Sequence, residues 1–330
     1  MRTDIFCKSN SEAAQRIESA IMSADKIAIV GHVRPDGDDV GTCLGLAGYI
    51  RIIKPGASVK VFLEKFNKSF DFLPGASEVC HDFSRDESFD LCFMCDCADV
   101  KRMGDAAKYF IGAKEKICID HHATNDGTAE GFAVIEPDRS SSSEVLCTLI
   151  DMDKLTSEVA ECIYLGIVHD SGVFKYSSTS PETMLYAAKL LELGVRGGYI
   201  IDNTFYTKTF VQNKAIARAL SDANLLLGGK VIYSVFTNEM MEEYGVSQVD
   251  LDSVSAMLRE IEGVVVSFFI YETSASGTFK ISLRSNEPVD VSKVAVLYGG
   301  GGHVRASGCE ITASVDEIVS LISREIEKQI

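Results

Sequence analysis

No apolar run in this 330-residue chain reaches the ~18–20 residues that a membrane-spanning helix needs. Membrane anchoring therefore has no support. The opening residues, MRTDIFCKSNSEAAQRIESA, lack an apolar stretch of signal-peptide length, so secretion has none either. Basic charge is also short: 32 Lys and Arg face 48 Asp and Glu, a net charge of −16. No Lys/Arg run supplies the broad basic patch that long duplex nucleic acid requires. A local acid cluster that gathers divalent cations suits this charge better. Ten cysteines are present, but the CxxC pair of Cys92 and Cys95 lacks the second pair that would complete a zinc site. Cys92, Cys95, Cys97, Cys118 and Cys162 lie in apolar stretches and read as small buried hydrophobes. Reduced thiols of this kind point to a cytoplasmic location. Internal repeats and low-complexity segments are absent.

What is present organises into two halves, as expected for a chain longer than one core usually fills. The apolar fraction of 46% and charged fraction of 24% are those of an ordinary globular protein. Lys26-Ile27-Ala28-Ile29-Val30-Gly31 reads as a strand buried on both faces. Residues 37–53 follow as a helix, with Gly41, Gly45 and Gly48 spaced to let it pack closely on a sheet. Further strands are predicted at 59–63, 90–95 and 116–119, the rhythm of a doubly wound parallel sheet. A helical zone spans about 143–219, broken near 170–180 and 194–198. Strands at 223–227, 230–236, 264–272 and 278–284, with helices at 251–261 and 315–328, then describe a smaller α/β domain.

The chemistry gathers around histidine. Of the six, all but His81 sit beside an aspartate or a glycine cluster: His32, His121, His122, His169 and His303. Gly31-His32-Val33-Arg34-Pro35-Asp36-Gly37-Asp38-Asp39 follows a predicted strand and opens a helix, where α/β proteins bind ligands. Its imidazole and carboxylates suit Mn2+ or Mg2+. Pro-Asp-Gly is equally good turn chemistry, and the segment alone leaves both readings open. Asp96 closes the next apolar strand, Asp120-His121-His122 the one after, and Asp170 an apolar helical stretch. One acid in such a place is usually a solvated loop residue. Four at one sheet edge argue for a site. In the second half, Gly299 to Gly302 precede His303 and Arg305, exposing backbone N–H groups that can approach a phosphate. Upstream, Phe279, Ile281 and Leu283 alternate with Lys280, Ser282 and Arg284, giving one apolar face and one face that carries a guanidinium.

Together the segments GHVRPDGDDVG, CDCAD, DHH, HDSGVFKYSS, LRS and GGGGHVRASGC closely resemble the DHH phosphoesterase family, over nearly the whole chain. The resemblance is to its stand-alone nanoRNase and pAp phosphatase branch. It implies an N-terminal doubly wound parallel-sheet domain (1–194), a helical connector (195–221) and a smaller α/β DHH-associated domain (222–330), with the active site in the cleft between domains. It implies two divalent ions, Mn2+ first and Mg2+ or Co2+ as alternatives. His32, Asp36 and Asp96 would hold one; Asp38, Asp96, His121 and Asp170 the other, with Asp96 shared. His122 would face the substrate phosphate and Asp120 would orient the ligands. Arg284, Gly300, Gly301, Gly302, His303 and Arg305 would bind the nucleotide, with Arg284 and His303 also stabilising charge during the reaction. Ser171 and Thr42 depart from the family's threonine and serine, but each keeps a hydroxyl.

The implied activity is hydrolysis of small-nucleotide phosphate esters: release of nucleoside monophosphates from very short RNA, or of the 3′-phosphate from pAp (3′-phosphoadenosine 5′-phosphate). A cyclic or linear dinucleotide phosphodiesterase is the first alternative. An inorganic pyrophosphatase and a processive exonuclease fit less well. A catalytically silent nucleotide-binding protein would be expected to have lost ligands, and none is missing. The sequence ranks none of the substrates and leaves the oligomeric state open, a homodimer included.

Overall fold

The computed structural model describes residues 12–127, 130–273, 275 and 277–330. The reading of the leader falls largely on residues 1–11, which lie outside the described residues. Among those described, no helix is long and apolar enough to cross a membrane. Contacts divide the chain into two compact units, the first ending at Thr207 and the second starting at Lys208.

The first unit is built on a five-stranded sheet, β1 (Lys26–Val30), β2 (Ser58–Phe62), β3 (Leu91–Cys95), β4 (Glu115–Asp120) and β5 (Phe132–Ile135). All neighbours are parallel, in the order β2-β1-β3-β4-β5. Its helices are α1 (Glu12–Ser23), α2 (Gly37–Ile53), α3 (Ala107–Ile111), α4 (Ser142–Leu149), α5 (Ser157–Asp170), α6 (Pro181–Glu192) and α7 (Gly197–Ile201). The central strands β1, β3 and β4 are largely apolar and buried because both their faces are covered. Ile27, Ile29, Leu91, Phe93, Ile117 and Ile119 enter one core with α1, α2, α4 and α5. Alternate residues Ala28, Val30, Cys92, Met94 and Cys118 enter another with Tyr109 and Phe110 of α3. This is the doubly wound fold that the sequence predicts.

Two features differ from the sequence reading. The glycine stripe of α2 packs on a helix and not on the sheet. A Cβ on Gly41 would lie 2.5 Å from the Cys162 carbonyl oxygen, and one on Gly45 or Gly48 would lie 2.6 Å from Ile163 or Val159, all in α5. Spacing shows that a face is smooth but not what lies against it. Strand β5 was also not predicted. Its four residues, Phe132 to Ile135, are all apolar yet only half-buried, and a run that short cannot be told from a piece of helix by pattern alone.

The second unit is a six-stranded mixed sheet ordered β10-β11-β9-β8-β7-β6. Its strands are β6 (Asn224–Leu226), β7 (Val231–Phe236), β8 (Val266–Glu272), β9 (Thr278–Ser285), β10 (Gly301–His303) and β11 (Ala306–Thr312), with helices α8 (Phe210–Ser221), α9 (Asn238–Tyr244), α10 (Val254–Arg259), α11 (Val291–Leu297) and α12 (Val315–Glu327). Only β7 and β8 pair in parallel. The apolar face of β9 joins α11 and α12 in one core. The end of the glycine run enters a hairpin of β10 with β11.

Candidate active site

The carboxyl edge of the parallel sheet collects the acids and imidazoles of the first unit. His32 follows β1, Asp96 follows β3, Asp120 ends β4 with His121 and His122 next, and Asp170 ends α5. Asp36 caps α2, its Oδ1 accepting from the backbone N–H groups of Asp38 and Asp39 at 3.0 and 3.1 Å. That cap leaves Oδ2 facing His32 Nε2 at 3.7 Å. The His32 Nδ1–H is spent on the Val33 carbonyl at 2.9 Å, which turns Nε2 toward the acids.

Asp96 stands at the centre. It holds a left-handed backbone, φ 51°, uncommon for a residue with a side chain and a form of strain that clusters at functional sites. Its Oδ2 lies 3.6 Å from His32 Nε2, and its Oδ1 lies 3.6 Å from both His121 Nε2 and His122 Nδ1. His121 Nε2 is also 3.0 Å from Asp170 Oδ2 and 3.9 Å from Asp38 Oδ2. Three overlapping groups result: His32, Asp36 and Asp96; Asp38, His121 and Asp170; and Asp96, His121 and His122. Within each, the ligand atoms lie within 4.8 Å of one another.

These residues fit divalent cations on one observation in particular. His121 Nε2 is buried and makes no hydrogen bond, while its Nδ1–H is donated to the Arg139 carbonyl at 3.2 Å. A buried polar atom is normally satisfied, and this one faces carboxylate oxygens. The electrostatics agree. Burial raises the Asp38 carboxyl well above its usual range, and Asp96 and Asp170 push it further. Asp170 is raised too, by burial first and then by its acid neighbours, against the opposing attraction of the His121 imidazole. Burial works against a charged His32, yet the attraction of the Asp36 and Asp96 carboxylates prevails and lifts it to about 11. The same contest lifts His121 to about 10, chiefly through Asp170. Acids that repel one another and imidazoles drawn to protonate mark a place short of positive charge. Oxygen and imidazole donors suit Mn2+ or Mg2+ class ions.

His122 is held differently. Its Nδ1 lies 2.8 Å from Asp120 Oδ1, and that hydrogen bond raises its pKa against burial. Asp120 is itself buried, and its Oδ2 accepts from Asn125 Nδ2 at 2.7 Å.

In the second unit, Arg284 and Gly301 line a cavity of about 370 Å3 together with Asp252, Tyr271, Lys280, Ser282, Ala306, Ser307 and Gly308. The Arg284 Nη1 donates to the Leu283 carbonyl at 2.9 Å. Gly300, Gly302, His303 and Arg305 are not among the residues that line it. Arg305 Nη1 donates to the Val289 carbonyl at 2.8 Å and to that of Asn286 at 3.3 Å. Gly300 is needed sterically, since a Cβ there would lie 2.1 Å from the Gly308 carbonyl oxygen.

The profile of the DHH family, N-terminal domain, matches residues 26–167, and that of the DHHA1 domain matches residues 228–328. The chain carries a DHH domain followed by a DHHA1 domain. Among curated relatives, a bifunctional oligoribonuclease and PAP phosphatase of Thermus thermophilus is 29% identical, over 86% of this chain and 84% of its own. One of the same description from Bacillus subtilis is also 29% identical, over 87% and 90%. Among solved structures, an exopolyphosphatase-related protein from Bacteroides fragilis superimposes with a TM-score of 0.87 at 25% identity, covering 96% of each chain. A Thermus thermophilus RecJ in complex with Mn2+, at 15% identity and a TM-score of 0.53, covers 96% of this chain and 54% of its own. It shares the fold.

Sequence reasoning missed part of the DHH site. Ser142 and Ser143 donate backbone N–H groups to Asp38 at 2.6 and 3.0 Å, and the Ser142 hydroxyl donates to Asp96 Oδ1 at 2.8 Å. The run Ser140-Ser141-Ser142-Ser143-Glu144 carries a helix-start signature. Ser141 is indeed the cap of α4, so the helix start was findable even though its target was not. Asp39, given no role from the sequence, accepts the His32 backbone N–H at 3.0 Å. Gly31 must be glycine beside it, because a Cβ there would sit 1.8 Å from the Asp39 carboxylate.

Proposed function

We propose that this chain is a metal-dependent phosphoesterase of small nucleotides, releasing nucleoside monophosphates from very short oligoribonucleotides and the 3′-phosphate from pAp. The observation that carries this reading is the hydrogen-bond-free His121 Nε2 amid Asp38, Asp96 and Asp170. His32, Asp36 and Asp96 would hold one divalent ion, and Asp38, Asp96, His121 and Asp170 a second, with Mn2+ the ion chosen. Such a pair supplies Lewis acidity toward a phosphoryl oxygen and acidifies water.

The protein's own part follows from its contacts. Asp120 keeps His122 oriented and favours its protonated form. Its second ring nitrogen then donates to a phosphoryl oxygen, where charge grows as a water oxygen bonds to phosphorus and the P–O bond to the sugar breaks, the sugar oxygen leaving with a proton from that water. Asp36 stays ionised: the atoms crowded round it oppose this, but the His32 imidazole 3.7 Å away holds its carboxyl at about 2. In the DHHA1 domain, Arg284 offers a guanidinium for a nucleotide phosphate, and His303, Arg305 and the glycines Gly300 to Gly302 are assigned to the same nucleotide. The relatives described as oligoribonuclease and PAP phosphatase support the substrate choice. The nine described cysteines, all free, support a reducing, cytoplasmic setting.

The test is hydrolysis with Mn2+ of pAp, an RNA ladder from dinucleotide upward, cyclic di-AMP and pyrophosphate. Cleavage of pAp and the shortest RNAs, lost on adding chelator, is expected. Activity confined to cyclic dinucleotides or pyrophosphate would overturn the substrate, and inertness toward all of them the enzyme.

A further inference from the structure

The segment carrying the two site serines also carries a carboxylate that the proposed chemistry does not use. Glu144, in the first turn of α4, is fully buried. Its Oε2 accepts from the Ser140 backbone N–H at 3.0 Å, the Ser140 hydroxyl at 2.6 Å and the Thr183 hydroxyl of α6 at 2.7 Å. Its Oε1 accepts from Arg139 Nη1 at 3.1 Å. A carboxylate taken out of water is tolerated only with such partners. Once satisfied by donors from two elements, it pins them together.

What it pins is the stretch from Arg139 to Ser143. The carbonyl of Arg139 accepts the His121 Nδ1–H and so decides which way Nε2 faces. The N–H groups of Ser142 and Ser143 hold both oxygens of Asp38, and the Ser142 hydroxyl holds Asp96. Three of the six proposed metal ligands therefore lean on residues 139–143. That stretch is tied through Glu144 to Thr183, which also serves the start of α6 by exchanging hydrogen bonds with Ser180.

We propose that Glu144 is a positioning residue: by joining residues 139–143 to α6 it sets the directions of Asp38, Asp96 and His121 toward a divalent cation that it never touches. The proposal rests on the metal-dependent reading above. A carboxylate that merely braces the fold would lower stability alone. One that aims ligands changes metal affinity, because partners of this kind typically contribute about 10–100-fold.

The experiment is calorimetric titration of chelator-stripped, full-length protein with Mn2+, alongside thermal melting. Glu144→Gln keeps the side-chain volume but removes the charge. Thr183→Val removes the hydroxyl that donates to Glu144 and accepts from the Ser180 N–H, and Thr183→Ser restores both bonds. Ile17→Val, in the core contributed by α1, serves as a destabilised control. Mn2+ affinity is expected to fall about 10–100-fold in Glu144→Gln and by less in Thr183→Val, with Thr183→Ser and Ile17→Val binding as the wild type does. Wild-type affinity in both Glu144→Gln and Thr183→Val, whatever their melting temperatures, overturns the proposal. Should Glu144→Gln not fold, the Thr183 pair decides: equal affinity in Val and Ser overturns it, and weaker binding in Val alone supports it. A wild-type chain that binds no Mn2+ overturns the metal reading itself.

Discussion

At the scale of single residues, the site ranks its carboxylates by what each one touches. Asp96 belongs to two of the three metal-competent groups and faces three imidazoles. Asp39 faces none of the imidazoles at contact distance and holds the site by accepting the His32 backbone N–H. Asp96→Asn, which keeps shape but removes shared charge, is expected to lower Mn2+-dependent hydrolysis by more than about 100-fold, beyond the range for a supporting partner. Asp39→Asn is expected to cost about tenfold, within that range. Steady-state rates at saturating Mn2+ compare the two, and equal losses would contradict the ranking. The same distinction explains what the sequence revealed. Asp36, Asp38, Asp96, His121 and Asp170 stood out because a charged or imidazole side chain that closes an apolar element is visible along the chain. Ser142, Ser143 and Asn125 did not, since their hydroxyl, amide and backbone donors look like ordinary loop polarity until folding shows what they bind.

Between elements, the interlocking of α2, α5 and α7 holds the metal edge in place. Glycines let α2 approach α5 closely enough that Asp38 and Asp170 share an imidazole. Arg196, just before α7, grips Glu161 of α5, its Nε at 2.6 Å from Oε1 and its Nη2 at 3.0 Å from Oε2. That hydrogen bond holds the Glu161 carboxyl below its ordinary value of 4.5. A depressed acid contributes stability that is complete above pH 4.5 and fades as pH falls through its lower folded value. Because Arg196 is largely exposed, solvent screening keeps the contribution of the grip small, a shift of ~2–4 °C in a unit of this size. Glu161→Gln should therefore melt ~2–4 °C below wild type at pH 7, with the gap closing in strong acid. A gap that persists there would mean that packing, not charge, joins these helices. Elements with a periodic signal, such as α2 and β9, were readable in advance. The half-buried edge strand β5 was not, nor was β10, whose glycines signal a loop while β11 supplies the partner that makes them a strand.

For the whole molecule, the decisive feature is that its two units have separate cores and separate chemistries. The described metal-competent groups all lie in the DHH unit, and the cavity holding Arg284 and Lys280 lies in the DHHA1 unit. A cation that binds only folded protein stabilises the unit holding it, by roughly 2.7 kcal/mol at a hundredfold excess over Kd. Mn2+ should then raise the melting transition of the DHH unit and leave that of the DHHA1 unit in place, with chelator reversing the shift. Arg284→Ala should leave the Mn2+ shift intact. It should also raise KM for pAp by roughly 10–100-fold, the equivalent of losing about 1.5–3 kcal/mol of hydrogen bonding to a charged group. Scanning calorimetry with and without Mn2+ reads the first effect, and steady-state kinetics reads the second. An Arg284→Ala protein that no longer responds to Mn2+ would show that the units do not divide the work in this way. One with an unaltered KM would remove the cavity from the path of the nucleotide.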